Sequence, residues 1–163
     1  MTRFLYACFL FAFVSVSESK VSQRDYGEPL FLTPLIESGE YTTAKQLSKV
    51  DKKQFDCGTE SYAGYLTVNK SYNSNLFFWF FPSKTANAPV VLWLDGGPGT
   101  SSMYGLFLLS GPFVVEDNLK VKCRKYSWTK EFSVLYIDQP VGSGFSFTEN
   151  ERGFSRDISE STD

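Results

Sequence analysis

Alternation of apolar and polar positions from Tyr62 to Val68 predicts a strand carrying Tyr62, Gly64, Leu66 and Val68 on one face. A polar turn over Asn69–Asn75 follows, and Leu76–Phe81 reads as a second strand, so the two are expected to form an antiparallel hairpin. The aromatic run Phe77, Phe78, Trp79, Phe80 and Phe81 is assigned to the core, because aromatic residues favour strands and bury large areas. Val90 to Leu94 is apolar without a break, the pattern of a strand buried on both faces. Ser133 to Ile137 is another short apolar strand. Between them, Ser101–Leu109 predicts a helix that Gly111-Pro112 ends, and Phe113–Trp128 is a charged connection with short strands. Its Lys120, Lys122, Arg124 and Lys125 read as a solvated face. Upstream, Ala44, Leu47 and Val50 recur every third residue behind a threonine cap, predicting a peripheral helix over Thr42–Val50. The prolines of Pro29–Pro34 predict an extended stretch there.

Both buried-strand candidates break abruptly into glycine-rich turns: Asp95-Gly96-Gly97-Pro98-Gly99-Thr100-Ser101-Ser102 and Asp138-Gln139-Pro140-Val141-Gly142-Ser143-Gly144-Phe145-Ser146. Gly96 and Gly97 lack a Cβ, so the first turn can bend sharply and bring N–H groups against a ligand oxygen. Ligand sites of open α/β sheets lie outside the carboxyl ends of the strands, where both turns would sit.

Five ordered blocks carry a family resemblance: Pro29–Pro34, Tyr62–Lys70, Ser74–Pro82, the Asp95 loop, and Tyr136-Ile137-Asp138-Gln139-Pro140. Together they resemble the serine carboxypeptidases, in particular the vitellogenic-like branch. The resemblance implies an α/β class chain, the N-terminal part of an α/β-hydrolase fold in which an antiparallel hairpin leads into the strands of a central mixed sheet. It further implies that strand 90–94 lies between strand 133–137 and a nucleophile-bearing strand. The implied reaction is serine-type release of C-terminal amino acids from peptides, without metal or other cofactor. Carried over by position, Gly97 N–H would donate to the oxyanion, while Gly96 N–H and the Asp95 side chain would face the substrate's terminal carboxylate. The chain departs from the family at Asp95, where Asn or Gln is usual, and at Leu109, where relatives carry Glu before the Gly-Pro pair. Thr100 also replaces a Cys or Gly common there.

Serine-type acyl transfer needs a nucleophile, a base, an orienting acid and oxyanion donors. This chain contains no histidine. By resemblance, the catalytic Ser, Asp and His all lie beyond residue 163, and only the oxyanion side is present. Gly58-Thr59-Glu60-Ser61-Tyr62-Ala63-Gly64 imitates the family's nucleophile turn, but a nucleophile elbow needs a strand before the serine and a helix after it. Ser61 has polar sequence before it and a strand after it, so it is read as structural.

At 163 residues the chain is shorter than the ~200–250 or more that such folds occupy, so it is expected to be an N-terminal piece of a longer protein. Residues 1–17 read as a secretory signal peptide, with Arg3 before an apolar stretch over Phe4–Val14, leaving 18–163 as part of one carboxypeptidase domain. That stretch is short of the ~20 residues a spanning helix needs, so no membrane partner is expected once the signal is removed. An extracellular or lysosomal location follows. With Cys8 lost in the signal, Cys57 and Cys123 remain in an oxidising compartment, free to pair with each other or with cysteines elsewhere. Asn69-Lys70-Ser71 is a glycosylation acceptor in a polar loop. A net charge of -2 with no basic, aromatic-interleaved patch argues against nucleic acid. The expected partner is a peptide with a free C-terminus. Two alternatives share the fold: a catalytically inactive binding or storage protein, and an acyltransferase.

Overall fold

The computed structural model describes residues 28–52 and 56–161. The expected signal peptide, with Cys8, lies outside the described residues. Helices α1 (Thr33–Glu37) and α2 (Tyr41–Leu47) precede strands β1 (Tyr62–Asn69), β2 (Ser74–Phe81), β3 (Val90–Trp93), β4 (Phe113–Val115), β5 (Val121–Cys123) and β6 (Ser133–Ile137). The main sheet has the order β1-β2-β6-β3. Its β1–β2 and β2–β6 pairs are antiparallel and its β6–β3 pair is parallel, which makes it the expected mixed sheet.

The hairpin forms as its alternation predicts, with Tyr62 opposite Phe80 and Leu66 opposite Leu76. One sheet face carries Trp79, Phe81, Val134 and Tyr136, all buried against Met103, Leu106 and Phe113. Trp79 and Phe81 stack at 5.4 Å, and Phe81 meets Phe113 and Tyr136 edge-on. Burying these rings removes large apolar areas from water, which stabilises the sheet.

The two edges of the sheet differ. Along β1, Leu32 N–H donates to Tyr65 O, Val50 N–H to Ser61 O and Ala63 N–H to Ser48 O, so the N-terminal segment occupies that edge. Strand β3, in contrast, pairs only with β6 among the described residues. Its alternate residues Val90 and Leu92, with Leu94 beyond them, are 67%, 54% and 50% exposed, while Val91 and Trp93 turn inward. The expectation of a strand buried on both faces is therefore corrected: among the described residues nothing covers the outer face of β3.

Three local expectations also change. The 29–34 stretch is extended only as far as Phe31, since Leu32 already has helical backbone angles; Pro34 sits in the first turn of α1, where its missing N–H has no intrahelical partner to lose. Helix α2 begins at Tyr41 behind Glu40, with no side-chain cap. The 101–109 helix is shorter and wider than predicted, with Gly105–Leu109 in π register and Ser110 N–H donating to Gly105 O.

The 113–128 connection folds as the hairpin β4–β5. Lys122 pairs with Glu116 at its surface. Arg124 does not join this solvated face: its guanidinium donates to the carbonyls of Phe107, Gly111 and Phe113, at 2.9 to 3.0 Å. It thereby satisfies acceptors left open where the π turn ends. Cys57 and Cys123 are joined as a disulfide, Cα–Cα 5.3 Å, tying the segment before β1 to β5.

Candidate active-site loop

Parallel pairing of β3 with β6 brings the two glycine-rich turns side by side at the carboxyl ends of adjacent strands. Two carboxylates then fix their shape. Asp95 leaves β3 with Oδ2 accepting from Trp93 Nε1 at 2.9 Å and from Gly105 N–H at 3.0 Å. Its own N–H donates to Ser102 Oγ at 3.1 Å. Asp95 thus joins the strand end to the helical turn beyond the loop. Its Oδ1 has no partner among the described residues.

Asp138, wholly buried, closes the other end. Oδ1 accepts from Ser101 Oγ at 2.7 Å and Ser102 N–H at 2.8 Å, and Oδ2 accepts from Phe145 N–H at 2.8 Å. One carboxylate therefore holds both loops. Ser102 Oγ adds a bond to Ile137 O at 2.5 Å, and Ser146 Oγ donates to Asp138 O at 2.6 Å while accepting Phe77 N–H. Gly144 has to be glycine: its φ is +52°, and a Cβ there would lie 2.2 Å from Asp138 Oδ2.

Between these anchors lies the exposed run Gly96–Thr100. Gly97 adopts φ +131°, and the Gly97–Pro98 peptide is cis, as is Gln139–Pro140 in the second loop. Thr100 N–H donates to Gly96 O. The N–H groups of Gly96, Gly97 and Gly99 have no acceptor among the described residues, so the centre of the loop presents donors to solvent. Asp95, Gly96 and Gly97 are consecutive here, on one loop. Leu109, half exposed, ends the helical turn that Asp95 grips at Gly105.

Two phenols are shifted, chiefly by burial. Burial pushes the Tyr136 hydroxyl above the usual phenol range, against the bond it shares with Ser110 Oγ at 3.0 Å and the nearby Arg124 charge. Tyr65 is also raised, first by burial and then by the negative charge of Asp138.

The remaining candidates lie elsewhere. Ser61 is buried immediately before β1, with its carbonyl accepting Val50 N–H, in surroundings unlike a strand–turn–helix elbow. Asn69 is exposed at the hairpin turn, its Oδ1 accepting Ser71 N–H. Among the described residues no group of three His, Cys, Asp or Glu is placed to hold a metal ion, and no helix is long and apolar enough to cross a membrane. Sequence reasoning missed Asp138, Ser101 and Ser102 as organisers of the loop. The available signal was an aspartate ending an apolar strand opposite a Ser-Ser pair closing the first turn.

Residues 51–163 match the family model for serine carboxypeptidase. The chain is 58% identical over 135 residues to a venom serine carboxypeptidase of Apis mellifera, covering 82% of this chain and 29% of that protein. It is 52% identical over 148 residues to the probable serine carboxypeptidase CPVL of Homo sapiens, covering 90% and 31%. A vitellogenic carboxypeptidase of Aedes aegypti is 47% identical over 131 residues, covering 79% and 28%. Among solved structures, Kex1(Δ)p, a prohormone-processing carboxypeptidase from Saccharomyces cerevisiae, superposes with a TM-score of 0.65 at 30% identity, covering 72% of this chain and 30% of that one. The chain spans about three-tenths of the length of the curated relatives it matches. The mixed sheet, the paired loops at its carboxyl edge and a match over most of the sequence lead to one assignment: the chain belongs to the serine carboxypeptidase family.

Proposed function

We propose that this chain forms the oxyanion and substrate-end side of a serine-type carboxypeptidase site, the nucleophile, its aspartate and its histidine lying outside these 163 residues. The observation that carries the reading is the loop Asp95–Ser102: anchored at both ends by carboxylates, it leaves the N–H groups of Gly96 and Gly97 without acceptors among the described residues. An oxyanion hole needs donors held in place before the charge develops, because donors that must reorganise at that moment stabilise it less. In this reading Gly97 N–H meets the oxyanion. Gly96 N–H and Asp95 meet the end of the peptide, and peptides with a free C-terminus are the substrates.

Residues 1–17 direct the protein to the secretory pathway, to the exterior or to lysosomes, and Asn69 carries a glycan. Residues 18–163 belong to one carboxypeptidase domain. One feature favours a second reading, a catalytically inactive binding protein: Leu109 stands where the resemblance places a Glu.

The test is release of C-terminal amino acids from a blocked dipeptide by the 163-residue chain, together with labelling by a serine-directed fluorophosphonate. Neither release nor labelling is expected, since oxyanion donors without a nucleophile and base cannot form an acyl-enzyme. Labelling of Ser61 would overturn the assignment of the nucleophile to sequence outside this chain.

A further inference from the structure

We propose that the groove between helices α1 and α2 and the β1–β2 hairpin binds a fatty acid, with the acyl chain in the groove and the carboxylate on Lys45. No residue of the two glycine-rich loops lines this groove, so the inference goes beyond the function proposed above and stands apart from it.

Alternation along β2 sends Trp79 and Phe81 into the core and leaves Phe78 and Phe80 on the opposite face. Tyr62 lies opposite Phe80 across the hairpin and shares that face. Helices α1 and α2 supply the other wall, where Leu32 and Ala44 are buried while Ile36 and Tyr41 stay exposed. Between the walls is a cavity of about 450 Å³, lined mainly by apolar side chains. Its size falls in the ~300–1,000 Å³ range of small-molecule sites.

Two charged residues line the groove, Lys45 and Glu60. Glu60 is already satisfied: Oε1 accepts from Lys49 Nζ at 2.7 Å, and Oε2 accepts from the Tyr62 hydroxyl at 3.3 Å. Lys45 pairs with no carboxylate among the described residues, and its ammonium lies 5.8 Å from the centre of the Tyr62 ring. The groove therefore combines apolar walls with one uncompensated positive charge, which fits a ligand with an apolar body and an anionic end. The backbone beside it favours an acyl chain over a peptide. Ala63 N–H donates to Ser48 O and Val50 N–H to Ser61 O, while Tyr62 and Phe80 are a strand pair. A peptide laid against these walls would leave its own N–H and C=O groups unpaired, at a cost in desolvation, whereas an acyl chain has none to satisfy.

The experiment uses the full chain with its disulfide intact, labelled with 15N, at pH 7. The amide resonances of Ala44, Lys45, Tyr62 and Phe80 are followed during titration with hexanoate, octanoate and decanoate, each below its micelle-forming concentration. These resonances are expected to shift, with affinity rising about fourfold for each CH2 added, the scale of burying one methylene. Lys45→Gln is expected to weaken octanoate about threefold, the scale of an exposed ion pair, and to leave octan-1-ol binding unchanged. Absence of shifts at these four amides with decanoate, affinity independent of chain length, or octanoate binding unchanged in Lys45→Gln would each overturn the inference. So would N-acetyl-leucyl-valyl-phenylalanine binding as tightly as decanoate, which would make a peptide the occupant. The chain-length series on wild type decides the matter even where the variant fails to fold, and none of these outcomes bears on the reading of the glycine-rich loops.

Discussion

Asp138 shows how much of this site depends on a single buried side chain. Its three hydrogen bonds come from two different loops, and two of the donors are backbone N–H groups. Truncation in Asp138→Ala strands those donors in a buried place, and losses from such broken networks exceed those of surface changes. We expect it to lower stability by about 3 kcal/mol in denaturant unfolding. Tyr136 makes a pH-dependent contribution. Its folded-state pKa is raised by burial, so the unfolded chain releases this proton first as pH rises. The associated stability is present below the ordinary phenol pKa and is lost progressively above it. Tyr136→Phe should be about 1 kcal/mol less stable at neutral pH, having lost the Ser110 bond. Its decline in stability between neutral and strongly alkaline pH should be shallower than that of wild type, and melts across that range will show whether it is. Both residues were visible in the sequence only as members of an apolar strand and its end. Apart from Phe145, seven positions on, their partners lie 26 to 37 positions away, which no local pattern encodes.

At the scale of elements, the hairpin and the two strand-to-glycine turns were legible because alternation and abrupt polarity changes are local signals. Strand β3 reads as buried because an unbroken apolar run specifies that both faces suit burial, and does not specify what covers them. Val90 and Leu92 accordingly lie on an open face, next to backbone groups of β3 that pair on one side only. Such an edge is a template for pairing with another chain. We expect the isolated chain to associate in a concentration-dependent way in sedimentation experiments. Leu92→Lys, a charge placed at this exposed edge, should shift it towards monomer without altering its circular dichroism. Equal association of the two proteins would place the contact elsewhere. Arg124 was misassigned for a related reason: charge clustering on Lys120–Lys125 marks a solvated segment, whereas this guanidinium turns inward to three carbonyls that the segment itself brings near.

For the molecule as a whole, the family and the α/β class were legible from five sequence blocks, whereas the way the loop is held open was not. The glycines supply freedom, and the two carboxylates 43 positions apart in the chain, Asp95 and Asp138, limit it by fixing both ends of the loop. The disulfide adds a constraint across 66 positions, on the order of 4 kcal/mol by chain-entropy reasoning, and ties β5 to the segment before β1. Amide hydrogen exchange, resolved by residue in the absence of any ligand, tests most directly whether the loop is held at its ends and free at its centre. The account predicts slow exchange at Ser102, Gly105 and Phe145, whose N–H groups are bound by Asp138 and Asp95, and fast exchange at Gly96 and Gly97. Protection of Gly96 and Gly97 equal to that of Ser102 would mean that their N–H groups are satisfied within the protein, and would contradict their assignment as donors to a substrate.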